Sequence, residues 1–161
     1  MIPVVFAAAP RVVVRPSRAW MTVMRAFKIL PHVADMRLRV EASSLEELFI
    51  AALEGMNHIL KRNLCKKRID RPAVHQVRVS SPDTTALLID FLSEALTLSH
   101  IHAIVFCEAE FTKLDSHSLI ATLFGTTVER FDKDIKAVSY HGAEIKQNQR
   151  GNLQTDLVFD I

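Results

Sequence analysis

Alternating and helically spaced apolar residues predict regular secondary structure from about residue 25 onwards. Apolar and polar residues alternate over 36–41, the period of a half-buried strand, and a short strand is predicted before it over 25–30. Ser44 and Glu47 have the spacing of a capping box, and the apolar positions that follow recur at helical intervals. They predict a first helix from about Leu45 to Arg62.

A second helix is predicted after residue 83. Ser81, Pro82 and Asp83 supply a cap, a first-turn proline and an acidic residue that suits the helix dipole. A strand around Val77 and Val79 precedes them. The predicted buried face of this helix repeats at three and four residues and consists of Leu87, Leu88, Phe91, Leu92, Ala95 and Leu96.

The last third of the chain is predicted to be mostly strand. The segments are 103–112, 118–124, 135–146 and 153–161, with turns near Asp115, Gly125 and Gly151. In the last segment apolar residues share one face and two aspartates lie on the other, so the end of the chain is expected to belong to a sheet. Two helices beside six or seven mostly consecutive strands predict an α+β domain of two layers, with the helices packed on a mixed or antiparallel sheet.

Composition fits one globular domain. The chain has 161 residues, of which 49% are hydrophobic and 24% charged, with a net charge of +2. The apolar runs fall far short of the roughly 18 residues that a membrane span needs, so no membrane association is expected. Cys65 and Cys107 lack metal-site spacing, so neither a disulfide scaffold nor a thiolate zinc site is expected, and a reducing cytoplasmic location is predicted.

The first 24 residues differ from the rest. They are apolar and arginine-bearing, and no acidic residue occurs before Asp35. The arginines follow the apolar run, which is the reverse of a secretory signal. With Met21 and Met24 available as starts, 1–24 is interpreted as an extension created by a start codon assigned too far upstream, or else as a disordered basic tail or an organelle-targeting segment. The folded domain is predicted over 25–161.

Familiar catalytic motifs are missing from the sequence. It has no P-loop, no dinucleotide fingerprint, no HExxH and no GxSxG, and its four glycines give little from which to build a phosphate-binding loop. An autonomous nucleotide enzyme is therefore disfavoured.

Three short segments carry candidate chemistry. LPHVAD contains His32 and Asp35, the chain ends in Asp160 and Ile161, and IKAVSYH spans 135–141. Crowded carboxylates repel one another unless a cation or a lysine relieves them, and hard divalent cations prefer such oxygen ligands. Each segment also has an ordinary interpretation, since loop aspartates commonly cap their own backbone and terminal residues are commonly solvated.

Taken together, these segments resemble the archease family. PHVAD resembles the family's HTAD motif, IKAVSYH resembles IKAVTYH, and the ending is similar to the family's aspartate-plus-isoleucine ending. The likeness covers about 27–161. Valine stands in place of threonine in the first motif, the stretch 125–134 is shorter than is usual, and Asp134 falls near a position where many relatives have histidine.

The resemblance implies a function and a set of residues. Archeases assist the GTP-dependent RNA ligase that seals tRNA exon halves and repairs broken RNA; they promote its guanylylation and turnover, and they carry a divalent cation. By this likeness Asp35 and Asp160 hold the cation together with an oxygen of Ile161. Ca²⁺ is the first expectation, with Mg²⁺ and Mn²⁺ as alternatives.

The likeness also implies a partner surface. Lys136 would contact the ligase or its bound nucleotide, and His32 and His141, which match motif positions, are further candidates for that contact. RNA would be reached indirectly, through the ligase. The chain itself would not be an enzyme, because the chemistry would reside in the partner.

Two other classes of function stay open. A metal-dependent phosphoester hydrolase could use the same carboxylates to activate water. An RNA-binding or chaperone-like module could work through a basic run, although such a run is also common at a solvated helix end. The run comprises Lys61, Arg62, Lys66, Lys67, Arg68 and Arg71.

Overall fold

The computed structural model describes residues 23–30 and 34–161. The interpretation of 1–24 therefore lies outside the described residues, apart from Val23 and Met24. His32 lies outside them as well.

Two helices and eight strands make up the described chain. In order they are β1 (Arg25–Leu30), β2 (Met36–Ala42), α1 (Leu45–Leu60), β3 (Ala73–Ser80), α2 (Thr84–His102), β4 (Ile104–Leu114), β5 (Ser118–Thr127), β6 (Ala137–Ser139), β7 (Lys146–Gln147) and β8 (Leu153–Asp160), with a short 3-10 turn over Leu64–Lys66 between α1 and β3.

The strands form two antiparallel sheets. The larger has the order β1-β2-β8-β6, with β7 also paired to β8, and the smaller has the order β3-β5-β4. The prediction of helices packed on antiparallel strands is confirmed, but the strands number eight and divide between two sheets. The predicted single strand over 135–146 is wrong, because the chain turns between β6 and β7, where Gly142 has a φ of +74°.

Both helices bury their apolar faces in one continuous core. α1 packs mainly on β1, β2 and β4, and α2 packs on β3, β4 and β6. Phe49, Phe91, Phe106 and Phe159 are fully buried there. Burying each such side chain contributes about 1.5–3 kcal/mol relative to leaving it in water, so this packing decides how the sheets sit against the helices.

The caps of the helices were predicted with mixed success. Ser44 caps α1 as expected, its hydroxyl accepting the Glu47 N–H at 3.3 Å. The cap of α2 is Asp83, whose carboxylate accepts the Ala86 N–H at 2.8 Å. Ser81 is therefore not the cap.

On the outer face of the larger sheet, two ion pairs join β2 to β8 and to the turn before it. Arg39 binds Asp156 of β8 through two bonds of 2.8 and 3.0 Å and lowers the pKa of that carboxyl. Glu41 binds the Arg150 guanidinium and then the Asn152 amide, which together lower its pKa from 4.5 to about 2. These bonds tie the turn before β8 to β2.

The expectation of unpaired cysteines is wrong. Cys65 and Cys107 form a disulfide that joins the 3-10 turn to β4. Cys107 lies at a register shift between Phe106 and Glu108, and such a bulge re-aims the side chain of the extra residue. A separation of 42 residues hid this pairing from spacing rules.

No helix within the described part of the chain is both long enough and apolar enough to cross a bilayer.

Candidate functional site

Asp35 and Asp160 lie at the same end of the larger sheet. β2 and β8 are antiparallel neighbours, and Met36 pairs with Phe159. The ladder ends there, with Asp35 immediately before β2 and Asp160 as the last residue of β8. Continued by one position, the same register would set Asp35 opposite Asp160, at the Cβ separation of about 4.5–5.5 Å that is usual for opposed residues.

The alternation of β8 directs the Asp160 carboxylate away from the core, and Asp35, just before β2, is half-buried. Leu38 on β2 and Phe159 on β8 are fully buried, so the residues of the other parity face outwards. On β8 that parity contains Asp156 and Asp160, and on β2 it contains Arg39. Asp160 is exposed. The predicted grouping of residues on the two faces of the last strand is confirmed.

Lys136 joins the same end of the sheet through its backbone. Its N–H donates to the Asp160 carbonyl at 2.7 Å, and the next residue, Ala137, pairs with Asp160 in the β6–β8 ladder. The Lys136 side chain is exposed. β6 therefore brings the lysine of the third motif beside the end of β8, where Ile161 follows.

His100 is a residue of this site that sequence reasoning missed. Its ring lies in the last turn of α2, and its Nε2 atom is 2.8 Å from the Ile135 carbonyl oxygen. A carbonyl only accepts, so Nε2 carries the proton. The same peptide unit donates the Lys136 N–H to Asp160, and it is therefore held from α2 on one side and from β8 on the other.

No sequence signal pointed to His100, because it lies 35 residues before its partner and outside every motif. The Asp134 carboxylate is 3.7 Å from the His100 Nε2 atom, and the Phe131 ring packs edge-on against the imidazole. The helix end, rather than the strand motif alone, sets the backbone position of Lys136.

The other end of β6 is anchored separately. The Tyr140 hydroxyl donates to the Asp90 carboxylate of α2, which also accepts from the Ser81 hydroxyl. The hydrogen bond and burial raise the pKa of Tyr140. His141 lies in the turn that follows, exposed, with its N–H on the Ser139 hydroxyl. The fold thus places His141 at the opposite end of β6 from Lys136 and away from Asp35 and Asp160.

The donor atoms at the Asp35 end suit a hard cation. Two carboxylates and an oxygen of Ile161 are the ligand type that Ca²⁺ and Mg²⁺ prefer. Within 23–30 and 34–161, no cluster of three or more His, Cys, Asp or Glu side chains is arranged to hold a metal ion. The two aspartates therefore supply only part of a coordination shell, and backbone oxygens, water or a partner would complete it.

A groove lies on another part of the surface. A concavity of about 790 Å³ is bounded by the first turn of α2, by Tyr140 and by the segment 143–145. Asp35, Asp160 and Lys136 do not line this groove, so the groove is separate from the candidate cation site.

Comparison with known proteins identifies the class defined by this fold and these motifs. The model of the Archease protein family matches residues 27–161. The chain therefore belongs to the archease family. It is 28% identical over 145 residues to the protein archease of Methanosarcina barkeri, covering 85% of this chain and 97% of that protein. It is also 28% identical over 146 residues to the protein archease of Pyrococcus abyssi, covering 86% and 100% respectively.

Two solved structures share the fold. The solution structure of protein 1598 from Methanobacterium thermoautotrophicum superposes with a TM-score of 0.67 at 24% identity and covers 84% of this chain and 98% of its own. The crystal structure of an archease from Thermotoga maritima, described as a possible chaperone, gives a TM-score of 0.55 at 19% identity, covering 83% and 96%. The two-layer architecture is thus the architecture of the family.

Proposed function

We propose that this protein is a divalent-cation-binding accessory protein that activates a GTP-dependent RNA ligase by promoting its guanylylation and turnover. The observation that carries the proposal is the register of β2, β8 and β6, which gathers Asp35, Asp160 and the Lys136 backbone at one sheet end. Membership of the archease family supports it. The chain contacts RNA through the ligase, and with Cys65 paired to Cys107 the cysteines no longer support the predicted reducing cytoplasmic location.

In this proposal one group of residues holds the cation and another presents the Lys136 side chain to the ligase. Asp35 and Asp160 would hold the cation together with an oxygen of Ile161. A bound cation would supply charge neutralisation there. His100 and the Asp160 carbonyl hold the Ile135–Lys136 peptide, so the exposed ammonium of Lys136 is presented to the ligase or to the phosphates of its nucleotide.

The incomplete shell predicts which cation binds and how tightly. Ca²⁺ tolerates irregular coordination with six to eight oxygens, whereas Mg²⁺ requires a near-ideal octahedron. A site with two aspartates is compatible with the first and leaves positions for water or a ligase group. We therefore expect weak Ca²⁺ binding by the free protein and tighter binding in the complex with the ligase.

Thermal unfolding with added Ca²⁺ tests the site. A ligand at 100 times its Kd stabilises the folded state by about 2.7 kcal/mol, which raises the melting temperature measurably. Asp35→Asn and Asp160→Asn should abolish this rise. Glu110→Gln, a matched loss of one exposed carboxylate on β4, should retain it. A rise of equal size in all four proteins would place the cation elsewhere.

Ligation tests the activity. Purified ligase should complete many more turnovers with this protein than without it, and Lys136→Ala should remove the stimulation. Lys113→Ala, which removes an exposed lysine of β4, is the control. If the ligase turns over equally fast with and without the protein, the proposal fails. Phosphoester hydrolysis by the isolated chain, lost in Asp35→Asn, would replace it with the hydrolase interpretation.

A further inference from the structure

The segment 61–71, called the basic loop below, carries more positive charge than the fold neutralises. Lys61 pairs with Asp132 at 3.2 Å, and Arg71 pairs with Glu108. The other four cations are exposed, and their side chains form no ion pair with any residue in the described ranges. They are Arg62, Lys66, Lys67 and Arg68.

The basic loop is held in one conformation. The disulfide fixes Cys65 to β4, and the Arg71 guanidinium donates to the Cys65 carbonyl at 3.0 Å. The 3-10 turn adds a bond from the Lys67 N–H to the Leu64 carbonyl at 3.1 Å. Ordering a flexible loop on binding costs free energy, so a loop ordered beforehand presents its charges at a lower cost.

The charges of the basic loop affect the pKa of a neighbouring histidine. His58, in the last turn of α1, has a lowered pKa because of burial and then because of the positive charges of Lys66 and Arg62. The Phe27 ring contacts the His58 ring with centroids 5.6 Å apart. The charges of Lys66 and Arg62 therefore act on the end of α1.

The basic loop lies beside the start of β1. Lys66 borders one concavity with Val23, Arg25 and Phe27, and Phe27 pairs with Val40 in the second half of β2. The Leu60 carbonyl accepts the Asp132 N–H at 2.7 Å, and the Asp132 carboxylate accepts the Arg62 N–H at 2.9 Å. Asp132 is four residues before Lys136, so a short segment joins the two surfaces.

We infer that the basic loop is a docking surface for the phosphodiester backbone of single-stranded RNA, bound directly by this protein. This goes beyond the proposed function, in which RNA is reached through the ligase, and it requires neither the cation nor the ligase.

Chemistry favours RNA over an acidic protein. Protein interfaces are centred on apolar and aromatic residues and are poor in lysine. The exposed residues of the basic loop are all polar, and Asp70 is the one acidic residue among them. Residues 65–71 line an open concavity of about 460 Å³. Lysine and arginine side chains that contact phosphates release counterions, and such contacts supply most of the affinity of binding that is not sequence-specific.

Salt dependence gives the size of the effect. For single strands the logarithm of the association constant falls with the logarithm of salt concentration with a slope of about −0.7 per phosphate contact. Four contacts predict a slope of about −2.8, or roughly 50-fold weaker binding between 50 and 200 mM salt. Removing two contacts predicts a slope of about −1.4 and a loss of roughly sevenfold over the same range.

The experiment is fluorescence anisotropy of a labelled single-stranded RNA 20-mer of mixed sequence, titrated with the purified full chain at several salt concentrations. The test variant is Lys66→Gln with Lys67→Gln. The control is Lys113→Gln with Lys146→Gln, which changes the net charge equally but removes lysines that already pair with Asp115 and Glu144. Melting curves establish that both variants are folded.

The expected result is a halved salt slope in the test variant and an unchanged slope in the control. Equal slopes in all three proteins, or no salt-dependent binding by the unaltered chain, would overturn the inference. If the unaltered chain binds no RNA and the test variant alone fails to bind purified ligase, the surface serves an acidic protein and the RNA assignment is wrong.

The cation site gives an independent check on the two proposals. Asp35→Asn and Asp160→Asn should bind RNA with unchanged slope even though they lose the response to Ca²⁺. A protein that binds RNA through the basic loop but does not stimulate the ligase would contradict the proposed function and leave this inference standing.

Discussion

Reduction of the disulfide should destabilise the folded domain strongly. The bond between Cys65 and Cys107 closes a loop across 42 residues of sequence. In the chain-entropy description, closing a loop of that length removes about 13 cal/mol/K from the unfolded state, or about 4 kcal/mol at 25 °C. Native-state relaxation and residual structure in the unfolded chain make this an upper figure.

The corresponding change in melting temperature follows from the size of the domain. Residues 23–161 have an unfolding entropy of about 0.3 kcal/mol/K, so 4 kcal/mol corresponds to a fall of about 13 °C. Differential scanning calorimetry of the oxidised protein, with and without a thiol reductant, measures it. Reduction changes the packing by little more than two hydrogens, so no cavity term complicates the comparison.

A variant with both cysteines replaced by alanine is the control. It should melt near the temperature of the reduced protein and should not respond to reductant. If reductant shifts the variant as much as the unaltered chain, the effect does not come from the disulfide. If the unaltered chain melts at the same temperature in both conditions, the loop-closure reasoning is refuted.

Three further predictions concern packing, backbone support and pH. Gly125→Ala should lower the free energy of unfolding by about 2–3 kcal/mol, as measured by chemical denaturation. The added Cβ atom would lie 2.3 Å from the Val105 carbonyl oxygen, a main-chain atom that cannot move away by rotating a side chain. His100→Ala should cost about 1–2 kcal/mol by leaving the Ile135 carbonyl without its donor, and His100→Gln, which can still donate, should recover part of it in the same assay. The pKa of Glu41 is lowered from 4.5 to about 2, so its ionised form stabilises the fold above about pH 4.5 and this contribution is lost as the pH falls towards 2. In acid titrations followed by circular dichroism, the stability advantage of the unaltered protein over Glu41→Gln should shrink across that window. An advantage that stays constant with pH would contradict this assignment.

Much of the fold followed from local patterns. The period of two in β2 and β8 and the helical spacing in α1 and α2 each describe an element that must bury one face. Those patterns fixed the element order, the ordered end of the chain and the outward direction of Asp160. Segments without a clear period were less predictable, and the strand over 135–146 failed because a turn at Gly142 interrupts it.

The sequence determined by itself which residue types are present in which motif and which of them can face solvent, because alternation and helical period are properties of neighbouring positions. Only the tertiary structure decided that the start of β2 and the end of β8 share one sheet end, that His100 supports the Lys136 peptide, and that Cys65 meets Cys107. The members of each pair lie between 35 and more than 100 positions apart in the chain. Their contact is set by strand register and by the packing of α1 and α2 on the sheets, where the burial of many apolar side chains outweighs any preference of the paired residues themselves.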